Sequence, residues 1–269
     1  MHIITSASNG LIKEVLRLKK SVNRKKQDLI IVDGIREISM AVKSGWSVVS
    51  LYYSESLGSK AGQSGFLGIP GEKTVSVTEE VFKKISFKEN PDGYLATFQS
   101  REASLNDIRL GENPLLIVLE DVEKPGNLGA IIRTAAAVGA DGVIVNDAQT
   151  DPFNPNVIRA SEGEIFSVTL VKSSLKETIS WLRDKQISCL AATTDGREDY
   201  SKADLTGPVA LVFGSEAHGL SGKWLEQADK KIIIPMVGDI DSLNVSVAVA
   251  VIAFEVLRQR RNRLAGGHI

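Results

Sequence analysis

Cysteine is nearly absent from this 269-residue chain, which holds only Cys189. A single thiol excludes an intrachain disulfide and points to a reducing compartment. Within the apolar run Ile187-Ser188-Cys189-Leu190 it reads as a buried strand residue. One cysteine with His2, His218 and His268 also excludes a Cys/His zinc cluster of the usual spacing, so no metal is expected. Long apolar runs are missing too. The longest, Val247 to Phe254, has eight residues, where a membrane-spanning helix needs roughly 20. The start MHIITSASNG lacks the apolar core of a signal peptide. The expectation is a cytoplasmic protein with no membrane partner. An excess of one charge is likewise absent: 32 Lys and Arg face 33 Asp and Glu, for a net charge of −1.

What is present is ordinary in amount and uneven in place. Apolar residues make up 43% and charged residues 24%, enough for one large or two small cores. Residues 1–60 carry ten Lys and Arg against five Asp and Glu, and Arg258, Arg260, Arg261 and Arg263 form a second basic cluster. Two basic ends permit a polyanionic partner. On charge alone, solvated helix faces are the simpler account.

Residues 1–99 read as a small α/β unit. Leu11, Val15 and Leu18 give Asn9–Lys20 a helical face, and Arg36–Ser44 is a helix closed by Gly45. Leu29–Val32, Val48–Tyr53 and Tyr94–Phe98 are strands, Thr78–Lys84 is a short helix, and Ser54–Gly71 is a Ser/Gly-rich loop. Residues 100–112 are polar and aperiodic, as a linker would be. Residues 113–269 alternate. Strands are expected at Leu115–Leu119, Gly142–Asn146, Ile165–Leu170, Ile187–Ala192, Val209–Phe213 and Lys231–Ile234. Helices are expected near Asn127–Val138, Ser173–Lys185, Gly222–Gln227 and Ser242–Arg260. Short apolar strands separated by helices predict an α/β fold, a parallel sheet with helices on both faces. Ligands of such sheets bind at the carboxyl ends of strands, here after Leu119, Phe213 and Pro235.

Known nucleotide loops fit these places poorly. The Gly-x-Gly-x-x-Gly fingerprint is absent. The segment Gly214-Ser215-Glu216-Ala217-His218-Gly219-Leu220-Ser221 has two glycines at P-loop spacing, but Leu220 replaces the lysine and Glu216 adds a carboxylate. That excludes a cradle for β- and γ-phosphates. Flexible glycines and backbone groups beside Leu211, Phe213, Ile234, Met236 and Leu243 suit an uncharged adenine and ribose instead. In the first loop, Asn127 is of a type that caps a helix starting at Leu128. Arg133 follows one residue short of the i+7 spacing that would align it best with Asn127. It suits a phosphate or ribose contact, or equally a salt bridge to Glu120 or Asp121. His218 is a base by type and a surface loop residue by position. Ser242, Asn244 and Ser246 open an otherwise apolar helix. Capping explains Ser242, but an asparagine there leaves an amide to satisfy.

Taken in order, Asn127-x-Gly129-x-x-x-Arg133, Gly214-x-Glu216-x-x-Gly219-Leu220-Ser221, and Ile234-Pro235-Met236 through Ser242-Leu243-Asn244-Val245-Ser246-x-Ala248 resemble the three motifs of the SpoU (TrmH-like) RNA 2′-O-ribose methyltransferases of the SPOUT superfamily. Arg159-Ala160-Ser161-Glu162-Gly163 resembles that family's stretch between motifs, and the resemblance spans about 113–262. The first hundred residues more loosely resemble an L30e-like RNA-binding domain, with Val32-Asp33-Gly34 where Val-Glu-Gly is usual. The resemblance implies a C-terminal trefoil knot, S-adenosyl-L-methionine as cofactor, a homodimer with sites at the interface, and RNA as substrate, ribosomal RNA ahead of transfer RNA. It implies Gly214, Gly219, Ile234, Met236 and Leu243 as the cofactor's holders. Asn127, Glu216, Ser242 and Asn244 would form the polar constellation, with Arg133 as the catalytic residue, either a base or a charged stabiliser.

Overall fold

The computed structural model describes residues 3–58, 68–147 and 151–266. His2, His268 and the middle of the expected loop Ser54–Gly71 lie outside them. The chain divides into two compact units, residues 1–101 with 151–167, and residues 102–150 with 168–269.

The first unit opens with α1 (Gly10–Arg17), where the Asn9 side chain accepts from the Leu11 N–H at 2.9 Å. Ile12, Val15 and Leu18 are buried, so the apolar spacing is the packed face. Next comes α2 (Ser21–Gln27), which sequence periodicity missed because its single buried side chain is Arg24. The unit continues through β1 (Leu29–Asp33), α3 (Ile35–Lys43), β2 (Val48–Tyr53), β3 (Thr74–Ser76), α4 (Glu79–Ile85) and β4 (Tyr94–Gln99). The strands form one sheet in the order β1-β4-β2-β3, with β4 antiparallel to both neighbours and β2 parallel to β3. Ile12, Val15, Ile31, Val81, Phe82 and Leu95 are packed in one core cluster.

The second unit is built on a seven-stranded parallel sheet. Its chain runs β5 (Leu115–Glu120), α5 (Pro125–Val138), β6 (Gly142–Asn146). It then leaves the sheet for residues 151–167, which carry α6 (Pro155–Ala160) and pack within the first unit. It returns as β7 (Leu170–Ser173), α7 (Leu175–Asp184), β8 (Ser188–Ala192), β9 (Glu198–Asp199), β10 (Val209–Phe213), α8 (Gly222–Gln227), β11 (Lys230–Ile233) and α9 (Val245–Gly266). The strand order is β7-β6-β5-β10-β8-β11-β9. Chain direction across the sheet reverses between β5 and β10, the kind of switch point where parallel sheets open a crevice. Leu116, Val118, Ala210 and Val212 turn to a core with Trp181, Leu182 and Trp224. The alternate residues, Leu115, Ile117, Leu119 and Leu211, are also fully enclosed, as strands covered on both faces require. α5 packs against α9.

Four expectations need correction. No strand runs from Ile165 to Leu170. A 3-10 turn spans Glu164–Phe166, and β7 starts at Leu170. The apolar residues there serve two different cores. Phe166 packs on Trp46 and Phe98 in the first unit, with ring centroids 5.2 and 6.2 Å apart, while Val171 joins the second. Residues 102–112 are not a bare linker: Leu105–Asp107 is a capped 3-10 turn, and Ile108 is buried in the core of the second unit. Asn127 does not cap α5, because Pro125 takes the first position, where its missing N–H costs nothing. Ser242 does not cap α9, which begins at Val245 directly after Asn244.

Candidate active site

Three loops at the carboxyl ends of β5, β10 and β11 supply the site. The loop after β10 is closed on itself. Ser215 N–H donates to the Gly219 carbonyl at 3.1 Å, and Gly219 N–H returns a bond to the Ser215 carbonyl at 3.0 Å. The closure requires glycine at 214: a Cβ there would lie 2.0 Å from the carbonyl carbon of Gly219 and 2.3 Å from the nitrogen of Leu220. Gly219 turns the chain at φ +66°, a conformation glycine adopts freely. The loop's exit is fixed from another strand. Glu120, the last residue of β5 and 8% exposed, accepts from the Ser221 N–H at 2.7 Å. A carboxylate accepting a backbone N–H makes a charge-assisted bond. Ser221 in turn caps α8.

The polar side chains of the three motifs meet. Asn127, in the first turn of α5, donates its amide N–H to Glu216 and accepts from the Asn244 amide at 3.3 Å. Asn244 uses its oxygen for the helix: it accepts from the Ser246 N–H at 3.0 Å and from the Ser246 hydroxyl at 2.6 Å. One asparagine therefore caps α9 with its oxygen and faces the site with its nitrogen. That is why an apolar helix opens with small polar residues.

These loops line a cavity of about 970 Å³. Gly214, Glu216, Gly219, Ile234, Met236, Ser242, Leu243 and Asn244 all line it, with Phe213, Leu220 and Val245 among the apolar walls. His218 lines it as well. Sequence reasoning missed Lys124, Asp241 and the Ala192-Thr193-Thr194 segment after β8. The last sits at the carboxyl end of a parallel strand, so the strand-end rule applied to β8 would have found it. Asn127 reaches the site through Glu216 and Asn244. Arg133 does not line the cavity of a single chain. It is exposed on α5, and six residues past Asn127 puts it roughly 120° away around the helix.

The volume suits a nucleoside-sized ligand. Backbone crowding at Gly214, apolar walls and a few convergent polar groups fit an adenosine held mainly by main-chain atoms. Elsewhere, burial pushes the Cys189 thiol up to about 12, with Asp229 adding to the effect, so it stays protonated as a structural core residue. Among the described residues, no group of three or more His, Cys, Asp or Glu gathers as a metal site. No described helix is long and apolar enough to cross a membrane.

The profile of the SpoU rRNA Methylase family matches residues 114–254, and that of the MRM3-like substrate binding domain matches residues 9–96. The 23S rRNA (uridine(2479)-2'-O)-methyltransferase of Streptomyces viridochromogenes is 30% identical over 86% of this chain and 83% of its own length. A solved RNA 2'-O ribose methyltransferase superposes with TM-score 0.85 at 36% identity, over 97% of this chain and 100% of that one. The AdoMet-bound rRNA methyltransferase of Sinorhizobium meliloti superposes with TM-score 0.87 at 29% identity, over 96% and 97%. By profile, sequence and fold together, the chain belongs to the SpoU rRNA methylase family.

Proposed function

We propose that this protein transfers a methyl group from S-adenosylmethionine to a ribose 2′-hydroxyl of ribosomal RNA. The observation that carries the reading is the junction Glu216–Asn127–Asn244 at a backbone-lined cavity, which joins three loops distant in sequence. The substrate reading draws on relatives named for 23S rRNA ribose methylation. Transfer RNA is the nearest alternative, and a non-catalytic RNA-binding module is the other class. Residues 1–99 would dock RNA as an L30e-like domain, residues 113–269 would catalyse, and 100–112 would connect them. Threading of the loops at 214–221 and 235–244 into a trefoil knot is part of the same reading, as is a cytoplasmic location.

The bound cofactor supplies a methyl already activated on a sulfonium. The protein must hold that group in line with the ribose oxygen and help the hydroxyl lose its proton. Backbone groups of Gly214, Ile234 and Leu243 would hold the adenosine, and Asn127, Glu216 and Asn244 would fix the polar edge of the site. A guanidinium presents a planar fork of hydrogen-bond donors and no acceptor. Arg133 therefore acts best as a charged group that orients phosphate and stabilises the developing alkoxide.

Arg133 would do so across a homodimer. It lies on the outward side of α5, and α9, packed beside it, leaves Val247 47% and Phe254 49% exposed. Exposed apolar side chains on this helix suit a two-fold contact. Two experiments test the reading. Calorimetric titration should show S-adenosylmethionine binding, and no binding would favour the non-catalytic module. Mixing Arg133→Ala with Glu216→Ala subunits should recover about a quarter of wild-type activity under random exchange. No recovery would contradict a shared site.

A further inference from the structure

We propose that the corner formed by α1 and α2 of the first unit is a docking surface for the phosphate backbone of the substrate RNA. This rests on the functional reading above and goes beyond it by naming where RNA sits. Over residues 10–27 the structure sorts seven cations into two groups. Lys19 and Arg24 are turned to structural use. Lys19 Nζ donates to the Lys84 and Ser86 carbonyls, each at 2.9 Å, and lies over the Phe87 ring. Arg24 is buried, donates to the Leu18 carbonyl at 2.9 Å and the Lys19 carbonyl at 3.2 Å, and pairs with Asp151 at 2.7 Å. The Asn23 amide donates to the Arg17 carbonyl at 2.8 Å. The corner is thus pinned from inside, through the last carbonyls of α1 and the residues that follow.

The other five, Lys13, Arg17, Lys20, Lys25 and Lys26, are exposed, and none of their side chains is hydrogen-bonded or ion-paired to another described residue. Glu14 is the one exposed carboxylate within the same span. Lys13 and Arg17 share a face of α1 at i,i+4, and Val22, Lys25 and Lys26 share a face of α2 at i,i+3 and i,i+4. Val22 is 73% exposed and Leu11 46%, so apolar surface stands among the cations. A rigid backbone bearing unpaired cations matches a polyanion, whose affinity comes largely from phosphate neutralisation and counterion release.

Three of the four arginines in the basic cluster at the other end of the chain are put to a different use. Arg260 donates to the carbonyls of Asn113, Pro114, Leu205 and Gly207. Arg258 is paired with Glu255, and Arg263 donates to Thr206. Internal bonding at one end makes the unpaired set at the other the better RNA surface.

The test uses the full chain and an unmodified 23S rRNA transcript. Two variants lose the same charge: K13Q/R17Q/K20Q/K25Q/K26Q at the corner, and K172Q/K176Q/K185Q/K202Q/K223Q on the second unit. Kd for RNA is measured over a range of KCl, with methyl transfer, S-adenosylmethionine affinity and melting temperature alongside. The corner variant should weaken RNA binding about tenfold or more near 0.15 M salt. It should also flatten the log–log salt slope by roughly 0.7–0.9 per lost phosphate contact. Cofactor affinity and melting should stay at wild-type values, and the second variant should change RNA binding far less. Equal effects of the two variants, or none at the corner, overturn the proposal while leaving the functional reading intact. A folded wild-type protein that binds this RNA but transfers no methyl ends the functional reading alone, and one that does not bind it ends both.

Discussion

The two loops that form most of the cavity wall are held in opposite ways. Residues 214–221 are tied by the reciprocal Ser215–Gly219 bonds, by close backbone approach at Gly214 and by the carboxylate of Glu120. Residues 235–243 have no backbone–backbone hydrogen bond to any described residue, and Val237 and Ile240 on that loop are exposed. The first loop is a preformed cradle. The second is tied down only where it ends, at the cap of α9. The contrast teaches that one wall of the cavity is fixed by its own backbone and by Glu120, while the other is held by little besides its ends.

The largest test of this contrast is Gly214→Ala. A Cβ against backbone cannot be relieved by a side-chain rotation, so the loop must open. S-adenosylmethionine affinity should fall by about 100-fold or more, roughly 2.7 kcal/mol, in a calorimetric titration. Unchanged affinity would show that the cradle is not preformed. Glu120→Ala comes next. It leaves a half-buried N–H without its acceptor, with an expected loss of about 1 kcal/mol in denaturant unfolding and a raised KM for the cofactor. Glu120→Gln keeps an acceptor and should retain most of both.

Asn244 sharpens the comparison, because its two amide atoms do different jobs. Asn244→Ala should cost about 1 kcal/mol of stability through the lost cap, and activity as well. Asn244→Asp keeps an oxygen for the cap and loses the donor to Asn127. It should melt near the wild type while methyl transfer stays low. Recovery of both together would mean that the bond to Asn127 is incidental. The smallest effect belongs to the untied wall. Val237→Ser with Ile240→Ser should change stability by less than about 0.5 kcal/mol, as surface substitutions do.

Much of this was readable before the structure. Five of the six expected strands of the second unit were legible because each is a short apolar run bounded by turn residues, as at Val209–Phe213 and Gly142–Asn146. The sixth, Ile165–Leu170, misled because periodicity cannot tell which of two cores an apolar residue will enter. Helix α2 was invisible because it buries a guanidinium rather than a hydrophobic stripe. In the site, Gly214, Glu216 and Asn244 were legible as glycine or polar residues in strand-end loops. Which residue caps was not, since Asn127, Ser242 and Asn244 are all good caps and geometry alone chooses. Glu120 was hidden because its partner lies about a hundred residues away. Only the family resemblance marks Arg133 as catalytic, and its exposure in a single chain is why the proposed role needs a second subunit.

The most direct test of the central claim is where a methyl goes. The full-length protein would be incubated with S-adenosylmethionine and unmodified ribosomal RNA, and the product digested and mapped by mass spectrometry. The account predicts one 2′-O-methylated nucleotide in 23S rRNA, absent when Gly214 is replaced by alanine. A methyl on a base, or no transfer by a folded protein that binds the cofactor, would contradict it.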